Sequence, residues 1–182
     1  MYVNKKVKAM KNISKRSIFF LNSISLAFLL LILSSCSVKN MKSYEAPKVL
    51  GYSSWTEWKE KTGWLDDENY IPDLKKINLL KQFLNENYSF VIFGTSFCDD
   101  CKENIPKIMK ILDNLQIPDS NIRLYGLDYD LKEPSGYYKN FPISSTPSLF
   151  ILKSEKIIGG ISYPDYNWLD GIIRIIKKSK EL

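Results

Sequence analysis

The apolar positions of this chain switch between helical and strand spacing, and their order outlines a fold. Ser17 to Leu33 is apolar almost throughout, densest from Leu26 to Leu33. A polar stretch without periodicity follows over residues 37–52. Trp55, Trp58 and Trp64 then stand among charges; Trp55 and Trp58 are spaced for one helix face, and a turn is expected at Asp66-Asp67-Glu68-Asn69. Pro72-Asp73 opens a helix on which Ile77, Leu80, Phe83 and Leu84 recur at helical spacing. Phe90-Val91-Ile92-Phe93 is a short apolar run of β formers, as in a strand buried on both faces. Cys98 to Leu115 reads as a helix with Ile105, Ile108, Met109 and Leu112 on one face. Ile122 to Leu127 reads as a strand, and a polar stretch runs from Asp128 to Tyr138. Ser148 to Leu152 and Lys156 to Ile158 flank Lys153-Ser154-Glu155 as a hairpin, and Trp168, Ile172, Ile175 and Ile176 mark a closing amphipathic helix.

Strands joined by helical crossovers imply a parallel pair, and the closing hairpin adds antiparallel strands. The expected class is therefore α/β, with a mixed central sheet ending in a C-terminal hairpin and flanked by helices. The Trp residues either cap this core or form a partner surface.

The apolar run from Ser17 has the parts of a secretory signal: Lys5, Lys6, Lys8, Lys11, Lys15 and Arg16 precede it, and small residues follow. Its ending, Leu33-Ser34-Ser35-Cys36, resembles the bacterial lipobox, in which the Cys is acylated and becomes the N-terminus. An uncleaved anchor is the alternative, although Asn22, Ser23 and Ser25 interrupt a run that needs about 20 apolar residues to span. The expected organisation is a lipoprotein signal over 1–35, a flexible tether over 36–52 and one domain over 53–182, with a Trp-containing extension at 53–71. Either form of anchor puts the domain outside the cytoplasm, held at a bacterial membrane, with Cys36 as the site of lipid attachment.

Charge and cysteine usage narrow the chemistry. The net charge of +6 is carried by the six basic residues before Cys36, where no acid lies, so residues 36–182 are neutral. A nucleic-acid partner is not expected, because phosphate neutralisation needs a basic footprint. The chain has no histidine, which excludes Ser–His and Cys–His catalysis and His-ligated metals. Cys98 and Cys101 are the cysteines left after Cys36.

Phe97-Cys98-Asp99-Asp100-Cys101 follows a strand and opens a helix. Unpaired N–H groups and the helix dipole favour a thiolate on the first Cys, and the second lies about one turn on. Zinc would need four ligands, and the domain offers two Cys and no His, so no metal is expected. A purely structural disulfide is the other alternative, but so small a ring removes little chain entropy.

These residues resemble the thioredoxin family. An apolar strand runs into Cys-x-x-Cys. Pro106 stands where the family puts a proline in the active-site helix, and Thr146-Pro147 stands where it has a cis-proline facing the disulfide. Gly159-Gly160 follows the next strand, as it often does in the family. The resemblance spans roughly residues 72–180 and implies a thioredoxin-like fold. Four positions depart from it: Ile92 replaces a buried Asp, Phe97 replaces the Trp before the first Cys, and Asp99-Asp100 replace Gly-Pro.

The resemblance implies thiol–disulfide exchange, with Cys98 as nucleophile, Cys101 as resolver, and Thr146, Pro147 and Phe97 bordering the substrate. No cofactor is implied beyond the redox-active Cys98–Cys101 pair. Partners would be exported proteins with cysteines or disulfides, together with a membrane electron donor. A reductase or isomerase is expected, against a disulfide-forming oxidase or a non-catalytic binding lipoprotein. Asp99 and Asp100 would each oppose the thiolate by about 0.5–2 kcal/mol, and the helix start would favour it by about 0.3–2 kcal/mol. That balance puts the Cys98 pKa at roughly 7–9.

Overall fold

The computed structural model describes residues 46–84, 87–165 and 167–180. The chain divides into two units, residues 1–44 and 45–182, and every described residue belongs to the second. The expected signal over 1–35 and the expected lipidation site Cys36 lie outside the described residues.

Five strands form one sheet in the order β1-β3-β2-β4-β5. They are β1 (Gly51–Ser53), β2 (Tyr88–Gly94), β3 (Ile122–Gly126), β4 (Ser148–Lys153) and β5 (Lys156–Ser162). β2 and β3 run parallel, and the other three neighbouring pairs run antiparallel. With helices α1 (Trp55–Thr62), α2 (Leu74–Lys81), α3 (Asp99–Asn114) and α4 (Trp168–Lys178), this is the expected mixed sheet with a C-terminal hairpin, flanked by helices.

Strand alternation sorts the core into two layers. Phe90, Ile92, Leu124, Leu149, Ile151 and Ile161 pack with residues of all four helices. Val91, Phe93, Phe150 and Leu152 face the other way, against Leu127 and Phe141. Among the described residues, that second face is covered by the loop after β3, which contains a 3-10 turn at Tyr137–Asn140, and not by an α-helix. Glu133, 5% exposed, holds this loop by accepting hydrogen bonds from the Ser135 and Tyr138 amides at 2.6 and 3.2 Å.

Each helix starts on a side chain that accepts from its first turn. Ser54 and Glu57 form a capping box on α1, Asp73 caps α2 and Asn167 caps α4. Trp58 and Trp64 are buried with ring centroids 5.5 Å apart, so these two cap the core. Trp55 is half-buried, and its indole N–H donates to Asp66 at 2.7 Å.

Two sequence expectations are corrected. Residues 51 and 52, expected in a tether, belong to edge strand β1, which pairs with β3 from Gly51↔Gly126 to Ser53↔Leu124. The chain is anchored there because Val49 is 2% exposed and the Lys48 amide donates to Ser96 Oγ at 2.8 Å. Gly159 and Gly160, expected after a strand, lie inside β5. A Cβ at Gly159 would meet Ile175 at 2.8 Å, and one at Gly160 would meet Phe150 at 2.6 Å. Close packing on both faces of the strand is what requires glycine there.

Candidate active site

β2 ends at Gly94, and Thr95-Ser96-Phe97 carry the chain from the sheet to α3. Gly94 leaves room for the site: a Cβ there would lie 2.5 Å from Ile105 Cδ1, 3.6 Å from Cys101 Sγ and 3.7 Å from the Trp58 ring. Trp58, from α1, therefore forms part of the floor beneath the cysteines.

Cys98 is the N-cap of α3, with φ −96° and ψ 123°, and its Sγ accepts from the Cys101 amide at 3.3 Å. The sulfur thus occupies the position of a capping oxygen, aimed at the unpaired N–H groups of the first turn. Cys98 is half-buried, Cys101 is 0% exposed, and both thiols are free. The sequence expectation of an outer first thiol and a buried second one matches this placement.

Cys101 Sγ accepts from the Thr95 amide at 3.4 Å and lies 4.0 Å from the Thr95 hydroxyl. Across the cleft, the Thr146–Pro147 peptide bond is cis, as expected, and Cys98 Sγ lies 3.8 Å from the Thr146 carbonyl oxygen. The 145–148 segment is held to the end of β5: Ser145 Oγ donates to the Tyr163 carbonyl at 2.8 Å, and the Ser148 and Ser162 hydroxyls are 2.8 Å apart. Phe97 is 37% exposed and stacks on Tyr129, itself 45% exposed, with centroids 3.9 Å apart and planes at 17°. The structure therefore brings Phe97, Cys98 and Thr146 to one rim, with Cys101 and Pro147 buried beside it.

The two thiols are driven apart in acidity. The Cys98 thiol is lowered to about 6, chiefly because the Cys101 side chain donates to its thiolate; burial opposes this, and the Cys101 amide, Thr146 and Thr95 add to the lowering. Cys101 is pushed well above its ordinary range, first by that same hydrogen bond and then by burial. This corrects the expected range of 7–9 for Cys98. Asp99 and Asp100 are not among the groups that shift it most. They occupy the first turn of α3, exposed and half-exposed, where water screens their charge, while the sulfur is held by direct hydrogen bonds.

Sequence reasoning missed Thr95, Tyr129 and a buried link between helices. The Asn104 side chain donates to the Asp100 carbonyl at 2.9 Å and accepts from the Trp168 indole at 3.0 Å, tying the first turn of α3 to the start of α4. Asn104 stands three residues after Cys101 on the apolar face of α3, and a polar residue there was the available signal. No three or more Cys, Asp or Glu side chains converge on a possible metal site among the described residues. A groove of about 530 Å³ lies elsewhere, lined by Trp55, Asp66, Met109, Lys110 and Asp113 among others, and none of the cysteine-rim residues borders it.

No protein-family model and no curated protein sequence matches this chain. Among solved structures, it is similar to a protein of unknown function from Pseudomonas aeruginosa at 14% identity, over 69% of this chain and 81% of that one, with a TM-score of 0.41. A thioredoxin from Malassezia sympodialis is 21% identical over 54% of this chain and 84% of its own, with a TM-score of 0.38. Thioredoxin f2 from Chlamydomonas reinhardtii is 15% identical over 61% and 95%, with a TM-score of 0.39.

Proposed function

We propose that this protein is a thiol–disulfide oxidoreductase that reduces or isomerises disulfides in exported proteins, held outside the cytoplasm at a bacterial membrane through lipid on Cys36. The observation that carries the reading is the pairing of a half-exposed sulfur at a helix N-cap, lowered to about 6, with a buried thiol one turn on.

The chemistry follows from that difference. At neutral pH Cys98 is mostly thiolate, and it attacks a substrate disulfide; one substrate sulfur leaves with the electron pair, and a mixed disulfide forms on Cys98. Cys101 then attacks Cys98 Sγ, the second substrate sulfur leaves reduced, and the Cys98–Cys101 disulfide closes. A membrane electron donor would return the pair to the dithiol. The Thr146 backbone, whose carbonyl lies beside the Cys98 sulfur, is suited to pair with a substrate peptide, and the Phe97–Tyr129 stack offers an apolar flank.

Thiolate stability sets direction. A thioredoxin-type thiol near 7 accompanies a potential of about −270 mV, and a strong oxidant combines a thiol near 3.5 with about −120 mV. The Cys98 thiol, lowered to about 6, stands nearer the first case than the second. That value favours a reductant or isomerase.

Reduction of a peptide with one intramolecular disulfide tests the activity. The dithiol form should reduce it stoichiometrically, and Cys98→Ser should not. Equilibration with glutathione tests direction: a potential above about −170 mV would make the protein an oxidase. For the anchor, mass spectrometry of the membrane fraction should find an acylated Cys36 at the N-terminus; recovery of residues 1–35 on the native protein would defeat that part of the proposal.

A further inference from the structure

Cys101 has a problem that Cys98 does not. To close the disulfide it must give up its proton, yet it is fully buried and its acidity is suppressed. The position six residues before Cys98, where a buried carboxylate would help, is Ile92, itself 0% exposed in the core. Another group must make the Cys101 thiolate accessible.

Thr95 is placed to do so. It directly follows β2 and is 3% exposed. Its amide donates to Cys101 Sγ at 3.4 Å, and its hydroxyl lies 4.0 Å from the same sulfur. An amide donor and a hydroxyl able to donate thus face the resolving atom from one buried residue. We infer, on the reading of the cysteine pair as an exchange centre, that Thr95 is a catalytic residue of the resolving step, its amide and hydroxyl together holding the Cys101 thiolate as it forms.

In that step the Cys101 S–H bond breaks and its sulfur bonds to Cys98 Sγ. The bond from Cys98 to the substrate sulfur breaks, and that sulfur keeps the electron pair and takes up the proton. The dithiol loses two electrons and the substrate disulfide gains them. The hydroxyl contact is long to a neutral thiol and should tighten when the sulfur becomes charged, because hydrogen bonds to ions are shorter and stronger. The hydroxyl also favours the Cys98 thiolate before capture, so a single donor serves whichever sulfur carries the charge. The Thr95 amide cannot be removed by substitution, but the hydroxyl can.

The test follows the reduced full-length protein, mixed with oxidised glutathione and quenched in acid, with the glutathione adduct counted by mass. In the unaltered protein the Cys98 adduct should stay scarce. Thr95→Val, which replaces the hydroxyl with a methyl, should slow resolution on the order of tenfold, the effect of one hydrogen bond to a charged group, and let the adduct accumulate. Capture by Cys98 should slow less. Thr95→Ala should behave as Thr95→Val does, which covers a failure of either to fold, and Thr95→Ser should restore resolution. Resolution at the original rate in Thr95→Val or Thr95→Ala overturns the inference. So does a Thr95→Ser protein as slow as Thr95→Val, since packing would then be the cause. An unaltered protein that exchanges with glutathione at neither step overturns the exchange reading, and this inference with it.

Discussion

The surroundings of Cys98 and Cys101 differ more than three residues of separation suggest. Cys98 sits on the rim, where the first turn of α3 supplies an amide donor and Cys101 supplies a thiol proton. Cys101 sits on the floor, under Gly94 and beside Trp58, with Thr95 as its hydrogen-bonding neighbour from the end of β2. Each difference reinforces the other, because the proton Cys101 retains is the one that stabilises Cys98. The Cys101 thiol proton, with the helix start adding to it, makes Cys98 acidic, and the core keeps Cys101 from competing with it.

The largest test of this contrast is removal of either sulfur. Cys98→Ser should abolish reduction of a peptide disulfide. Cys101→Ala should still capture the peptide but hold it as a stable mixed disulfide on Cys98, visible by mass. An equally stable adduct on Cys101 in Cys98→Ala would erase the distinction between the two.

Next in size is the link beneath them. Asn104→Ala strands the buried Trp168 indole N–H, which costs about 1–3 kcal/mol. A drop in the denaturation midpoint without change in the slope would measure it. Stability equal to the parent would mean that the indole finds another partner.

A smaller effect appears in the pH dependence of the reduced protein. Cys98 is lowered in the folded state from 9.0 to about 6. Its contribution is therefore full above pH 9 and fades as pH falls through about 6. Denaturant midpoints of the dithiol form should rise from pH 6 toward pH 8, and a Cys98→Ser protein should lose that component.

The smallest expected effect is that of the acidic pair. Asp99→Asn with Asp100→Asn should move the Cys98 midpoint by less than about 0.5 unit, because exposed charges are screened. A fall of a full unit or more would return Asp99 and Asp100 to the tuning role their sequence position suggested.

The legibility of this molecule follows burial. β2 and β4 are continuous apolar runs because both of their faces are covered, and α3 shows its period because one side meets the sheet. Cys98, Cys101 and Thr146-Pro147 stood out because their residue types are rare and their order is informative. β1 did not, since three residues with the pattern Gly-Tyr-Ser carry no period. The hairpin was readable from its flanks but not from its turn, where Ser154 and Glu155 adopt φ of 49° and 60°, values that favour Asn or Gly. Long-range contacts hold that turn: Glu155 pairs with Arg123 at 2.5 Å, and the Ser154 amide donates to Asn87. Thr95 and Tyr129 gave no signal because their role lies in what the fold brings beside them, a sulfur for one and Phe97 for the other.

The account turns on which thiol is the thiolate, and alkylation of the reduced protein across pH 4–10 measures that directly. Peptide mapping should find the label on Cys98 with a rate midpoint at about 6, and Cys101 unmodified while the protein stays folded. Label arriving first on Cys101, or a Cys98 midpoint at its ordinary value near 9, would contradict the account.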